Sequence, residues 1–328
     1  MNRRILSVFM VFVMLCAMAS GCKKNVGTSE DNAIVEEDDT EKNESRKFGF
    51  SCITMENPYF ITLEQSMRET LEGKGHTLIV KDPADDPDLQ IEQIHSMIEE
   101  GIDAIFISPV SWDAVTPALE ELHKAGIPII NVDTQVKDMI YVDAYVGSDN
   151  KTAGKLCAQD LIAQRPEGGK ILILESAGQN SVIERITGFE QEIANKGFEI
   201  IARADTKGEL NAARDAASKV FQENKDITAV MCGNDQIALG ALVAAHTAGA
   251  EDVMIYGVDG SPDLKKELLK PESRIRGTSG QSAISIGKDA ALTGMAILED
   301  REYEKEIYEE VFFISAENIE MYGADGWQ

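Results

Sequence analysis

The sequence predicts an α/β protein built from two parallel-sheet units. From residue 48 onward, short apolar runs alternate with stretches of helical period. The helical stretches end near glycines, and several apolar runs stop at polar or glycine-rich loops. Continuous apolar strands are buried on both faces, which requires a largely parallel sheet covered by helices on both sides.

The elements follow in order. Phe48-Gly49-Phe50-Ser51-Cys52-Ile53 opens a strand, 61–73 is a helix, 76–80 a strand, 89–99 a helix and 104–108 a strand. A helix near 113–124 and a strand at 127–131 continue the alternation, and a second unit begins after 141–148. Its strands are predicted at 170–175, 199–204, 228–232 and 253–258, with helices at 150–163, 182–195, 209–223 and 236–248. Strand ends run into Asn131-Val132-Asp133-Thr134, Cys232-Gly233-Asn234-Asp235 and Val258-Asp259-Gly260-Ser261. Open parallel sheets bind ligands beyond the carboxyl ends of their strands, so function is expected at these loops, in a cleft between the units.

The segment before the first strand carries an address. Asn2-Arg3-Arg4 is a basic start, residues 5–19 form an apolar stretch too short to span a bilayer comfortably, and Met18-Ala19-Ser20-Gly21-Cys22 has the pattern of a lipoprotein cleavage site. We expect 1–21 to be a signal peptide and Cys22 to carry lipid, the alternative being an ordinary secretory peptide with Cys22 incidental. Residues 22–47 are polar, contain the acidic run Glu36-Glu37-Asp38-Asp39 and lack apolar periodicity. Such a segment buries too little surface to offset its ordering entropy and reads as a tether.

Composition narrows the function. With 31 basic against 57 acidic side chains the net charge is −26, which disfavours contact with nucleic acid or anionic lipid through a basic patch. Besides Cys16 and Cys22 only Cys52, Cys157 and Cys232 remain, with no close pair, so no disulfide framework or thiolate metal cluster is implied. Asp82, Asp85, Asp86 and Asp88 are dense, but Pro83 and Pro87 interrupt them and the glycine and terminal glutamate of a calcium loop are missing. No metal or cofactor is expected. A nucleotide enzyme would show a glycine-rich phosphate loop after the first strand, and none is there. His76, His95, His123 and His246 belong to no recognisable catalytic motif.

Three segments together look like a known family: Asn57-Pro58-Tyr59-Phe60 after the first strand, Asn234-Asp235 followed by Ile237-Ala238-Leu239-Gly240-Ala241, and the loop Gly257-Val258-Asp259-Gly260-Ser261-Pro262. They resemble the ribose-type branch of periplasmic sugar-binding proteins, the extracytoplasmic receptors of ABC importers, over nearly all of 48–320. The resemblance implies a two-lobe type I periplasmic-binding-protein fold, each lobe a parallel sheet flanked by helices, with three interdomain crossovers. It implies one lobe from 48–149 plus 281–306 and the other from 150–280 plus 307–328. The likeness implies a monosaccharide or polyol as ligand, an ABC permease or, alternatively, a membrane sensor as partner, and a monomer; with no activating constellation in the sequence, no enzyme is expected.

Carried onto this chain, the family's binding positions are Asn57, Tyr59 and Phe60 in the first loop, Asp133 after the fourth strand, Arg185 on a second-lobe helix, and Asn234, Asp259 and Gln281. The chemistry is coherent, since sugar hydroxyls both donate and accept and aromatic faces cover the C–H side of a ring. Each residue has a structural alternative. Asp133 suits a loop cap, Asp259 a turn with Gly260, Arg185 an ion pair with Glu184 or Glu190, and Tyr59 or Phe60 a hydrophobic staple. Asn234 is assigned to ligand and Asp235 to the helix N-cap. Asp133 with Asp259 also raises a glycosidase reading, which lacks an activating constellation.

Two departures bear on ligand identity. Ribose receptors place arginine beside the aspartate after the fourth strand, where this chain has Thr134, and often an aromatic residue after the second lobe's Ala-Asp, where Thr206-Lys207 stands. Ribose itself is therefore not the expected ligand. Trp112, in a strand-end loop, either supplies the missing ring or packs on its own lobe; Trp327, in a polar tail, is expected to have no role at the site.

Overall fold

The computed structural model describes residues 44–328. Cys22, the expected lipidation residue, the expected signal peptide and nearly all of the expected tether lie outside the described residues. Two six-stranded sheets, each sandwiched between helices, account for the described chain.

The first sheet is built from β1 (Lys47–Ser51), β2 (Thr77–Lys81), β3 (Ala104–Ile107), β4 (Ile129–Val132) and β5 (Ala144–Ser148), connected by α1 (Pro58–Glu72), α2 (Pro87–Glu99) and α3 (Thr116–Ala125). The chain then crosses into the second lobe. There α4 (Asn150–Gln164), β6 (Gly169–Glu175), α5 (Asn180–Ile193), β7 (Phe198–Asp205), α6 (Leu210–Glu223), β8 (Ile227–Cys232), α7 (Asp235–Ala248), β9 (Met254–Asp259), α8 (Pro262–Leu268) and β10 (Ile275–Gly280) follow. It returns through α9 (Ala283–Leu298), which packs on α1, to β11 (Glu306–Glu309), then crosses again to β12 (Phe312–Ser315).

Strand order is β11-β5-β4-β3-β1-β2 in the first sheet, all parallel, and β12-β10-β9-β8-β6-β7 in the second, parallel except for β12 against β10. The chain therefore crosses between lobes three times, after β5, β10 and β11. Because β11 pairs with β5, the last crossover falls after Glu309 and not at 306 as the family likeness implied. Lys47 already pairs with Thr77, so the fold begins inside the expected tether.

Each sheet buries two apolar faces, as continuous apolar strands require. In the first lobe Phe48, Phe50 and Phe106 pack with α1 and α9, while Ile105, Ile107 and Ile129 pack with α2 and α3 on the other side. In the second, Leu172, Val230 and Ile255 face α6 and α7, and Ile171, Ile173 and Met231 face α4 and α5. Cys52, Cys157 and Cys232 are free and buried, and burial pushes their thiols up. They are core hydrophobes.

The aspartate-rich loop after β2 is structural. Asp82 Oδ1 accepts from the Met55 and Ala84 amides, and Asp86 caps α2 through the Asp88 and Leu89 amides. Among the described residues no helix is long and apolar enough to cross a membrane.

Candidate ligand-binding site

The carboxyl ends of the two sheets face each other, and the loops there form a cleft. Its deep compartment, about 250 Å³, is lined by Asn57, Tyr59, Phe60, Asp133, Gln179, Ser181, Arg185, Asn234, Asp259 and Gln281. The eight residues assigned from the family likeness thus converge on one cavity, together with two from the N-terminus of α5 that were not anticipated.

Local sequence explains each placement. Asn57 caps α1, its Oδ1 accepting from the Tyr59 amide at 3.0 Å, with Pro58 filling the first helical position. The helix therefore starts a turn earlier than expected, so Tyr59 and Phe60 are helical and their rings meet edge to face at 5.3 Å. Asp133 follows the inner end of β4 and Asp259 is the last residue of β9, at φ 63° and 136°. Backbones held at positive φ on residues other than glycine are costly and persist only where surroundings impose them. Around Asp133 the surroundings are Tyr145, whose hydroxyl donates to the Asp133 carbonyl at 2.7 Å, and Asn131, whose amide spans the turn to Thr134 and Val136.

The loop carrying Asp259 is braced from behind by Asp235. Its Oδ2 accepts from the Ser261 amide at 2.7 Å and its Oδ1 from the Thr278 hydroxyl at 2.8 Å. Gly257 makes this possible, since a Cβ there would stand 2.3 Å from Asp235 Oδ1. Asp235 is thus a buried brace and not the helix cap. Asn234 is the cap, its Oδ1 accepting from the Ile237 amide at 2.8 Å while its Nδ2 donates to the Gly208 carbonyl, and it lines the cleft as well.

Arg185 is the cation of the site. Its side chain is buried, its Nε donates to Asn150 Oδ1 at 2.8 Å and its Nη1 to the Gly233 carbonyl at 2.9 Å. Helices α4 and α5 approach so closely here that a Cβ on Gly154 would lie 1.7 Å from the Arg185 carbonyl, so glycine is required. The guanidinium faces Asp259 at 3.5 Å and, across the lobes, Asp133 at 4.0 Å. Neither Glu184 nor Glu190 takes it; Glu190 pairs with Arg203.

Burial first, then neighbouring carboxylates, push the Asp259 carboxyl up to about 8 against the pull of Arg185, and burial likewise raises Asp133. Gln281 Nε2 donates to Asp259 Oδ1 at 2.9 Å. The buried Tyr59 and Ser108 hydroxyls lie beside Asp133 and counter the effect of its burial, and neither has another hydrogen-bond partner among the described residues. Hydroxyls grouped with a buried carboxyl offer both donors and acceptors to a polyhydroxylated ligand.

The lobes touch around the site. The Ser181 amide donates to Thr134 Oγ1 at 2.9 Å, and the Trp112 amide donates to the Gly178 carbonyl at 2.9 Å. Thr134 is thus a contact between lobes. The Trp112 ring lines neither of these two compartments, and Lys137 Nζ stands 5.7 Å from its centroid. Thr206 is turned away, its amide and hydroxyl both donating to the Glu175 carbonyl. Trp327, expected to have no role at the site, packs edge-on against Tyr59 at 5.9 Å. Its tail is held by Lys265 Nζ on the Gly326 carbonyl at 2.6 Å and by the Ser282 hydroxyl on Gln328.

A wider outer compartment of about 650 Å³ adjoins the deep one, sharing Asn57, Phe60, Gln179 and Asn234. Glu56 and Asp85 approach it from the first lobe, and Lys207, Glu209, Leu210, Asn211 and Gln236 from the second.

Two parallel-sheet lobes, three crossovers and a buried polar cleft between strand ends define a type I periplasmic binding protein. Residues 48–302 match the model of the periplasmic binding protein domain family, and the chain belongs to its ribose-type sugar-binding members. The ribose import binding protein of Salmonella typhimurium is 30% identical over 235 residues, covering 71% of this chain and 78% of that protein. A solute-binding protein from Actinobacillus succinogenes, solved with bound D-allose, is 25% identical with a TM-score of 0.77, covering 85% of this chain and 100% of that one. The fructose-binding periplasmic domain of a hybrid two-component system is likewise 25% identical, with a TM-score of 0.78 over 84% of this chain and 94% of that domain.

Proposed function

We propose that this protein is an extracytoplasmic solute-binding protein of an ABC importer, held at the membrane by lipid on Cys22, that captures a monosaccharide or related polyol by closing its two lobes. The observation that carries the reading is the meeting of Asp133, from one lobe, with Arg185 and Asp259, from the other, in one buried cavity beside Tyr59 and Phe60. Carboxylates accept ligand hydroxyls, the guanidinium and amides donate, and the rings cover apolar C–H faces. Closure is driven by ligand to the extent that the ligand binds the closed state better.

The same carboxylates do no chemistry in this reading. Glycoside cleavage needs one carboxyl as proton donor and the other as base or nucleophile across a scissile bond. Here a single guanidinium faces both. The protein acts as a monomer, and its closed face is what a membrane permease recognises.

A thermal-shift screen against free sugars and polyols tests the reading, because a ligand selective for the folded state raises the melting temperature by linkage. A saturable shift with at least one monosaccharide or polyol is expected, and its loss in Asp133→Ala and Asp259→Ala. A flat response to the whole panel would reject it. Mass spectrometry of the mature N-terminus tests the diacylglyceryl group on Cys22. The likeness to a two-component sensor domain supports a second reading, presentation of the bound sugar to a sensor kinase. Neighbouring genes for a permease and ATPase, or for a kinase, discriminate.

A further inference from the structure

We propose that residues 323–328 form a fourth link between the lobes, a strap that restrains opening of the cleft and positions Tyr59 through Trp327. The inference goes beyond the sugar-binding reading and holds whatever the ligand is.

The tail starts from the second lobe. Ile319 is buried in that lobe's core, Ala324 packs on the same core, and the Tyr322 ring stacks on Phe312 with centroids 4.6 Å apart. Gly323, at φ 69°, turns the chain out of the short 3₁₀ turn Ile319–Met321. The far end belongs to the first lobe. Trp327 packs on the core that contains Tyr59, Phe60 and Ile286, and Ser282, the N-cap of α9, donates its hydroxyl to the Gln328 carbonyl at 2.6 Å. Gln328 Nε2 reaches back to the Tyr322 carbonyl at 2.9 Å, which ties the two ends of the tail together.

Length decides what these contacts do. Ala324 on one core and Trp327 on the other are three residues apart, and three residues of fully extended chain span about 10 Å. The tail cannot follow the lobes apart beyond its slack. Opening is therefore restrained, or it pulls the indole away from Tyr59, whose hydroxyl lies beside Asp133.

Lys265 fixes the middle of the strap. Its side chain is fully buried, and its one hydrogen bond among the described residues goes to the Gly326 carbonyl. Burial pushes its ammonium below the usual lysine range, while Asp235 and Asp325 pull the other way. An ammonium taken out of water is costly unless it is paired, so the Gly326 carbonyl and Asp325 are held over it. Asp235 is also the brace of the Asp259 loop. The tail thus backs both acceptors of the cleft, Asp133 through Tyr59, and Asp259 through Lys265 and Asp235.

Amide hydrogen exchange of the unliganded full chain in detergent, read by mass spectrometry, tests this. The Trp112 and Ser181 amides donate across the lobes and exchange when the lobes part, whereas the Phe106 and Val230 amides lie inside the sheets and exchange on unfolding. Trp327→Ala, which frees the first-lobe end, should speed exchange at Trp112 and Ser181 about 2- to 12-fold, the worth of one aromatic contact. Trp327→Phe should return it most of the way to the parent rate. Tyr322→Ala, which frees the second-lobe end, should act like Trp327→Ala, and the double variant should exceed neither, because a strap released at one end restrains nothing. Faster exchange at Phe106 and Val230 with none at Trp112 and Ser181 would make the tail a packing element and overturn the proposal. Unchanged exchange at all four amides would overturn it too, as would single-variant effects that multiply in the double variant. All of these rates are read without ligand, so a flat sugar screen rejects the sugar-binding reading and leaves the strap standing.

Discussion

Asp133 and Asp259 occupy matching positions in the two lobes, each just past or at the end of the fourth strand its lobe contributes in chain order, each with a positive φ, and both facing Arg185. The lobes thus present the same acceptor to the cleft from opposite sides, with one cation between them in charge. A hydroxyl-rich ligand that bridges the carboxylates couples its own binding to closure.

Removing either acceptor should cost binding and not the fold. Asp133→Ala and Asp259→Ala each strip a buried hydrogen-bonding group, worth about 1–3 kcal/mol, or about 5–150-fold in Kd. Calorimetry with the best ligand of the thermal-shift screen reads the loss, and far-ultraviolet circular dichroism should be unchanged. Unaltered affinity in both variants would remove the carboxylates from the site.

Arg185 should matter more to the protein itself. It faces two buried carboxyl groups, offsetting their charge where they are ionised, and satisfies the Asn150 side chain and the Gly233 carbonyl. Breaking a buried ion pair by removing one partner typically costs about 3–5 kcal/mol. At pH 9, above the Asp259 value of about 8, Arg185→Met is expected to lower the free energy of chemical unfolding by that order, and the double variant Arg185→Met with Asp259→Asn to recover part of it. A single variant as stable as the parent would show that the guanidinium is not offsetting those charges.

Thr134 holds the lobes together. Thr134→Val keeps the shape of the side chain but leaves the Ser181 amide without its 2.9 Å acceptor. A net hydrogen bond is worth about 0.5–1.5 kcal/mol, so ligand affinity should fall about 2- to 12-fold. Small-angle scattering of the unliganded variant should show a larger radius of gyration than the parent. Equal radii and equal affinities would mean that this bond contributes nothing to closure.

Much of this was legible in the sequence because apolar period and strand-end loops are local signals. Strand and helix order, and the convergence of Asp133, Asp259, Asn234 and the Asn57–Phe60 turn, follow from such signals and from the family likeness. The likeness supplied Arg185 and Gln281. What was missed depends on tertiary contact. Gln179 and Ser181 sit in the polar run Gly178-Gln179-Asn180-Ser181 beyond β6, a strand-end loop like the others, and applying the same rule there would have found them. The roles of Asn234 and Asp235 invert because Asp235 meets Ser261 and Thr278, residues distant in sequence. The tail carrying Trp327 has no periodicity, and only Lys265 and Ser282 place it.

That tail supports the cleft from outside. Trp327 packs on Tyr59, whose ring in turn meets Phe60. Aromatic pairs contribute about 0.5–1.5 kcal/mol beyond burial, so Trp327→Ala should lower stability by at least that amount and weaken ligand binding through a loosened Tyr59. Trp327→Phe should restore most of both. An affinity untouched by the alanine variant, measured by calorimetry, would confine Trp327 to a packing role.

Stability should fall as pH rises from about 4 to about 8. Burial and neighbouring carboxylates push Asp259 up to about 8, and burial pushes Asp235 up to about 6, whereas an aspartate in the unfolded chain titrates near 3.9. Between those values the folded state holds more protons than the unfolded one, and stability then decreases with pH. The contribution is complete below about pH 4, where both states are protonated, and is lost as pH rises through the folded-state values. Asp259→Asn fixes that position in an uncharged form. Its melting temperature should decline less steeply than the parent's between pH 5 and pH 8, so that the variant gains on the parent at the alkaline end while losing ligand affinity throughout. Parallel melting profiles for the two proteins would show that Asp259 does not hold its proton in the folded cleft.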